Sequence, residues 1–276
     1  MDDINIGSAV KFSVLIPVYN GDSYDLFVSA IESIKSNTKL PDQIVVVRDG
    51  PVSNDIEKYL KALSKSEKFE IIRIKDNVGI AKALNYGLTY VRNEWVFRAD
   101  ADDINEPERF SNCLPFLTGN LAVLGGIIQE VDDDGEFSGL RVPPVSDVEI
   151  RKYIKYRNPF NHMSVVYKKS VVESVGGYPD LHLKEDYGLW IKIVSAGYPV
   201  RNIDKILVTA NAGSSLLKRR SGLRYLRSEI NLHNLLVAEK LQNRFNGIFI
   251  LMLRIAALLA PVQIKKWIYR IFLRKR

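Results

Sequence analysis

The stretch FEIIRIKDNVGIAKALNYGLTYVRNEWVFRAD, residues 69–100, changes character three times. FEIIRIKD (69–76) is a short apolar run, GIAKALNYGLTYV (79–91) a helical pattern, and EWVFRAD (94–100) a second apolar run that ends in charge. Strand, helix and strand in so short a span predict one crossover of a parallel sheet. Upstream the same alternation continues. FSVLIPVY (12–19) reads as a buried strand, and SYDLFVSAIESIKS (23–36) places Leu26, Phe27, Ala30, Ile31 and Ile34 at helical spacing. QIVVVRDGP (43–51) is a strand closed by a turn, and NDIEKYLKALSKS (54–66) a helix with Ser53 or Asn54 as cap. The expectation is an α/β fold whose sheet carries helices on both faces. In such sheets ligands bind beyond the carboxyl ends of the strands, where Asp49 and Asp100 fall.

Downstream, PERFSNCLPFLTG (107–119) reads as a helix and LAVLGGIIQEV (121–131) as a strand. DDDGEF (132–137) is acidic, but Asp-Gly between extended segments signals a hairpin, and the alternating ligands of a calcium loop are missing. SDVEIRKYIKY is a short helix, SVVYKKS a strand, and KEDYGLWIKIVSAG an amphipathic helix that opens with two acids.

RADADD (98–103) sets Asp100, Asp102 and Asp103 together at a strand end. Neighbouring carboxylates repel, and their desolvation is costly unless a cation or hydrogen-bond donors hold them. Two readings remain open on spacing alone: a solvated loop in which an Asp caps the next helix, or a site for Mg²⁺ or Mn²⁺, which take carboxylate oxygens and share a substrate's phosphates.

The chain has 276 residues, 46% of them apolar and 26% charged, enough for one large domain with an appendage. Its single cysteine, Cys113, excludes an intrachain disulfide and fits a reducing compartment. MDDINIGSAVKF lacks the basic and apolar regions of a secretion signal, so a cytoplasmic protein is expected. The net charge of +7 is not spread evenly. Arg244 to Arg276 contains eight Lys or Arg and no acid, which leaves the remainder close to neutral.

That tail has two parts. GIFILMLRIAALLA (247–260) would make a helix about 21 Å long, short of the roughly 30 Å hydrocarbon core. After Pro261, VQIKKWIYRIFLRKR mixes Trp267, Tyr269 and Phe272 with six cations. Apolar and aromatic groups among cations, without spanning length, describe helices lying in an anionic membrane interface rather than a nucleic-acid arm. A partner-binding or dimerisation helix is the other reading.

Five segments, SVLIPVYNG, VVVRDGP, DNVGIAKALNYGL, RADADD with PERF behind it, and GGYPDLHLKEDYGLW, follow one another in an order that closely resembles the inverting family-2 glycosyltransferases of GT-A fold. The resemblance covers roughly residues 11–212 and implies a mostly parallel central sheet that binds a nucleotide sugar. It implies a glycosyltransferase domain over 1–212, with a nucleotide-binding part at about 11–105 and an acceptor-binding part at about 106–212. Residues 213–276 are then the basic helical membrane-associating region. By the same resemblance, Pro17 and Tyr19 line the nucleotide base, Asp49 accepts a hydrogen bond from uracil, and Asn77, Gly79 and Lys82 flank the nucleotide. Asp100 lies near ribose and metal, Asp102 ligates a divalent cation, Mn²⁺ or Mg²⁺, and Asp103 stands behind them or caps the next helix. Asp186 is the general base, and Glu185, His162 and Trp190 lie toward the acceptor. His182 and His233 read as structural.

One departure stands out. Many relatives carry a further metal-ligating His after the last sheet strand, and here that stretch is ILVTANAGSSLLKRRSG. Lys218, Arg219 and Arg220 either close over the diphosphate as a basic loop instead or form a solvated basic turn. Within the family, the motifs look most like bacterial enzymes extending lipid-linked O-antigen or exopolysaccharide repeat units. The resemblance therefore implies transfer of glucose or galactose from a UDP-sugar to an N-acetylhexosamine on a polyprenyl diphosphate, at the cytoplasmic face of the inner membrane. Two alternatives remain. A nucleotidyltransferase of related sheet would need a basic glycine-rich loop where VYNGDSYD is acidic, and an inactive binding relative would not need the intact acids.

Overall fold

The computed structural model describes residues 10–132, 134–211 and 222–259. The N-terminal half alternates as the sequence predicts: β1 (Phe12–Tyr19), α1 (Tyr24–Lys35), β2 (Gln43–Asp49), α2 (Asn54–Leu63), β3 (Phe69–Ile74), α3 (Ile80–Leu88) and β4 (Trp95–Arg98). β1 pairs in parallel with β2 and β4, and β2 with β3, so the carboxyl ends of these strands share one edge. Helices cover both faces. Val14, Ile16 and Val18 of β1 point into the layer that holds Phe27, Ile31 and Ile34 of α1, while Leu15 points to Ala83 and Leu84 of α3. A strand buried on both faces must be apolar at almost every position, which is why β1 reads as a continuous run.

The second half is mixed. β5 (Ile104–Asn105), α4 (Arg109–Cys113), β6 (Val123–Val131), β7 (Phe137–Arg141), α5 (Asp147–Tyr153), β8 (Val166–Lys168), α6 (Lys169–Ser174), α7 (Glu185–Ser195) and β9 (Val200–Asn211) follow in turn. The strand order is β3-β2-β1-β4-β8-β6-β9-β5, with β7 on the side of β6. β8 runs antiparallel to β4 and β6, whereas β6 and β9 are parallel. The acidic turn closes the β6–β7 hairpin: Asp132 Oδ1 accepts the N–H groups of Asp134 and Glu136 at 3.1 and 2.9 Å.

Some boundaries differ from the sequence reading. The helix expected over 107–119 stops at Cys113 and tightens into a 3₁₀ turn at Leu114–Phe116, where Pro115 lacks an amide hydrogen. The strand expected in SVVYKKS keeps only three residues, because Lys169 already starts α6. β5, two residues paired with β9, leaves no periodic trace. Beyond the sheet, α8 (Gly222–Ala238) and α9 (Arg244–Leu259) form a helical pair. Leu232 and Leu236 of α8 join the core beside α7. Gly188 of α7 leaves room for Pro179 and Leu181, which a Cβ there would meet at 2.5 and 2.8 Å.

Candidate active site

The sheet edge that the parallel strands build collects most of the expected residues. Pro17 is half-buried in β1, and Tyr19 ends that strand opposite Asp49 of β2. The Tyr19 ring is 44% exposed and lies so close over Gly21 that a Cβ there would meet it at 2.4 Å. The flat, solvent-facing ring is therefore held in place by a residue without a side chain.

Asp49 is buried and already employed. Its two carboxylate oxygens accept the N–H groups of Val78 and Gly79 at 2.8 and 3.0 Å, and Asn77 Nδ2 donates to its carbonyl at 3.2 Å. Gly79 precedes α3 with φ +87°, a conformation that favours glycine, so Asp49 supplies from β2 the anionic cap the helix lacks locally. Further along α3, the Asn85 amide makes a reciprocal pair with the Tyr178 backbone, at 2.8 and 2.9 Å. Lys82 is exposed and pairs with Asp180 at 3.4 Å, so α3 is tied to the loop before α7 by both contacts.

The acids after β4 surround a buried cation. Arg98 is 1% exposed and its guanidinium pairs with Asp100. Burial, then the negative charge of Asp100 and Asp102, pushes Asp103 well above the ordinary carboxylate range, although it accepts the Asn211 N–H at 3.0 Å. Asp22 in the β1–α1 loop belongs to the same cluster. Burial pushes its carboxyl up to about 7, with Asp102 and Asp100 adding to the shift and the Tyr19 N–H opposing it. Beneath the cluster, fully buried Arg109 donates to the carbonyls of Arg98 and Val165 at 2.7 and 3.4 Å and also bonds Asn105. Arg109 thus joins the end of β4 to β5 and to the residue before β8.

Glu185 and Asp186 open α7. Burial, then the neighbouring Asp186, raises Glu185 to about 7, and burial raises Asp186 as well. Asp186 accepts a hydrogen bond from Asn158 Nδ2 at 2.6 Å. A helix N-terminus favours the ionised form, and here desolvation outweighs it, the direction that suits proton abstraction near neutral pH. Arg98 and Asp100 both act on Glu185, which sets the two acid groups within electrostatic reach of each other.

His162 Nε2 lies 3.0 Å from the Tyr178 hydroxyl, and burial, then Arg98, holds the imidazole well below its ordinary pKa, hence neutral. Trp190 is placed differently from the expectation. It is fully buried, packed on Phe160, Tyr167 and His162, because it points from α7 into the sheet. It backs His162 and has no surface on which an acceptor can lie. His233 is buried in α8, and His182 lies in the loop before α7. Lys218, Arg219 and Arg220 lie outside the described residues, as do 261–276.

Sequence reasoning missed Asp22, Arg98, Arg109, Asn158 and Tyr178. Tyr178 sits inside a quoted motif and Asn158 in none, and only the folded chain aims them at His162 and Asp186. Among the described residues, no group of three His, Cys, Asp or Glu side chains is placed to hold a metal ion alone. The donor set at 100–102 fits a cation whose shell a ligand's phosphates complete.

Residues 13–176 match the family described as Glycosyl transferase family 2. The amylovoran biosynthesis glycosyltransferase AmsE of Erwinia amylovora is 35% identical over 94% of this chain and 97% of its own. The UDP-Gal:alpha-D-GlcNAc-diphosphoundecaprenol beta-1,3-galactosyltransferase of Escherichia coli is 33% identical over 96% of this chain and 97% of its own. Among solved structures, S. aureus TarS 1–349 in complex with UDP-GlcNAc superposes with a TM-score of 0.66, covering 94% of this chain and 79% of that one. At 17% identity that likeness is one of fold.

Proposed function

Because the chain belongs to glycosyl transferase family 2, we propose that it moves a hexose, galactose or glucose, from a UDP-sugar to an N-acetylhexosamine on a polyprenyl diphosphate. The product is a β-linked, inverted step in the assembly of an exopolysaccharide or O-antigen repeat unit. The names of the two relatives above support donor, acceptor and pathway. The observation that carries the mechanism is the acid pair at the start of α7, raised by burial and facing the strand-end cluster.

In this reading residues 11–105 bind the nucleotide, with Tyr19 and Pro17 along the base and Asp49 beside it. Asp102, with Asp100, would hold Mn²⁺ or Mg²⁺, and the bound cation supplies neutralisation of the charge on the departing diphosphate. Residues 106–212 bind the acceptor. Asp186 takes the proton of the acceptor hydroxyl while that oxygen forms a bond to the anomeric carbon. The bond from that carbon to the diphosphate oxygen breaks, and the nucleotide leaves with its electron pair. Asn158 fixes the Asp186 carboxylate, and neutral His162 offers the acceptor a polar group without a competing charge.

The lipid carrier calls for a membrane surface. No helix among the described residues is long and apolar enough to cross a bilayer. α9 instead exposes Phe245, Ile248, Phe249, Met252 and Leu253, a stripe at helical spacing, ahead of the basic residues that follow. We assign that stripe to the anionic cytoplasmic face of the inner membrane. Phe249→Glu with Met252→Glu is expected to release the protein from anionic liposomes; continued co-sedimentation would reject the assignment.

The donor is tested by UDP release from a panel of UDP-hexoses, with and without Mn²⁺, using a lipid-diphosphate GlcNAc or GalNAc acceptor. Metal-dependent release with one sugar is expected. Release from none, with the protein folded, would overturn the proposed donor and acceptor.

A further inference from the structure

We propose that Glu229 is a positioning residue for the acid pair at the start of α7, so that α8 and α9 are part of the catalytic framework. The inference rests on the assignment of Asp186 as base. Glu229 is 4% exposed on α8, yet its carboxylate meets cations from two other elements: Lys184 Nζ at 2.7 Å and Arg254 Nη1, from α9, at 3.2 Å. Lys184 is the residue directly before Glu185 and occupies the N-cap position of α7.

That helix start needs outside support. Lys184 has no capping oxygen, and no side chain caps α7. Leu183, one residue earlier, has φ +58°, a left-handed conformation that costs a branched side chain energy. The turn into α7 keeps one backbone bond, from the Lys184 N–H to the Leu181 carbonyl at 2.8 Å, and lacks a side-chain cap. The contact to Glu229, with the Lys184 ammonium 5.0 Å from the centre of the Tyr225 ring, pins it to α8. Arg254 closes the knot from the other side, donating to the Tyr156 carbonyl at 2.7 Å and lying 5.9 Å from the Tyr187 ring, on the same turn of α7 as Asp186. Tyr187 in turn donates to the Ile154 carbonyl at 2.5 Å, just past α5. Three elements thus meet at one carboxylate, and Arg254 and Tyr187 extend the contact to the carbonyls that follow α5.

A buried carboxylate between two cations fixes a geometry more than it adds stability. When Glu229 loses its charge, Lys184 still has the Asp186 carboxylate within electrostatic reach. The ammonium is then drawn toward the base it should leave unpaired.

The experiment uses the full chain and the variants Glu229→Gln, Lys184→Met and their combination, with Asp186→Asn as reference. The readouts are kcat for transfer, UDP affinity by calorimetry and the melting temperature. Glu229→Gln is expected to lower kcat about tenfold or more with UDP affinity unchanged within twofold. The double variant is expected to be no worse than the worse single one, because both remove the same contact. Lys184, being less buried, keeps the test available should Glu229→Gln not fold. Wild-type kcat in both folded single variants, with Asp186→Asn inactive, overturns this inference alone. So does a loss of kcat, UDP affinity and melting temperature together, or additive losses in the double variant. Wild-type turnover by Asp186→Asn overturns the assignment of the base instead.

Discussion

Asp100, Asp102 and Asp103 leave the end of β4 next to a fully buried arginine, whereas Asp186, at the start of α7, takes its hydrogen bond from a neutral amide. Both groups are acidic, and both contain carboxyls pushed up by burial. The strand-end acids also raise one another, Asp22 and Asp103 each responding to Asp100 and Asp102, so that group gains from any further cation. At the helix start desolvation likewise comes first, but the Asp186 carboxylate is held by the Asn158 amide rather than by an arginine, which leaves it the better proton acceptor. Like-charged residues thus take different parts according to what neutralises them.

Four substitutions probe that contrast, the largest effect first. Asp186→Asn is expected to lower kcat by roughly 10²–10⁴-fold, the range for a general base, with UDP affinity retained. An unchanged rate in single-turnover kinetics would remove the helix-start pair from the chemistry.

Arg109→Leu strands the Arg98 carbonyl and the Asn105 side chain in the core. A loss of about 3 kcal/mol is expected, read as a melting temperature lower by roughly 10 °C. A drop of only a degree would show that the strand-end loop stands without its buttress.

Glu185→Gln separates the two groups by pH. A carboxyl that titrates near 7 in the folded chain and near its ordinary value when unfolded keeps its proton longer in the folded state. Folding then loses stability as pH rises from about 4.5 to about 7, and the loss is complete above that window. The amide avoids this, so Glu185→Gln should raise the melting temperature at pH 8 and leave it nearly unchanged at pH 4. Equal shifts at both pH values would contradict the burial of Glu185.

The smallest effect belongs to Lys82→Ala. Its ion pair with Asp180 has both side chains more than half exposed, and such pairs contribute within about 0.5 kcal/mol. Stability should be unchanged while the KM for donor rises if Lys82 also serves the diphosphate. An unaltered KM assigns it to the Asp180 contact alone.

The parallel half was legible because burial on both faces writes itself as continuous apolar runs: β1 occupies the residues its sequence marks, Phe12–Tyr19. The mixed half was less so. β8 is three residues long and β5 two, too short for any period to develop, and their places are set by β4, β6 and β9 from far along the chain. In the site, the acids showed because charge at a strand end is conspicuous. Arg98, Arg109 and Glu229 were hidden for the opposite reason: in sequence a charged residue reads as surface, yet all three are buried, Arg109 and Glu229 against partners distant in the chain. Trp190 erred the same way in reverse, an aromatic beside the acids that the fold turns inward.

The place of β8 between β4 and β6 also governs how the chain comes into being. Phe97 of β4 pairs with Val166, about 70 residues later. At ribosomal speeds of roughly 5–20 residues per second, the free side of β4 waits roughly 4–14 s for that strand. During that interval the nascent N-terminal half presents an unpaired edge that is apolar on both faces, the surface on which strands of other chains add.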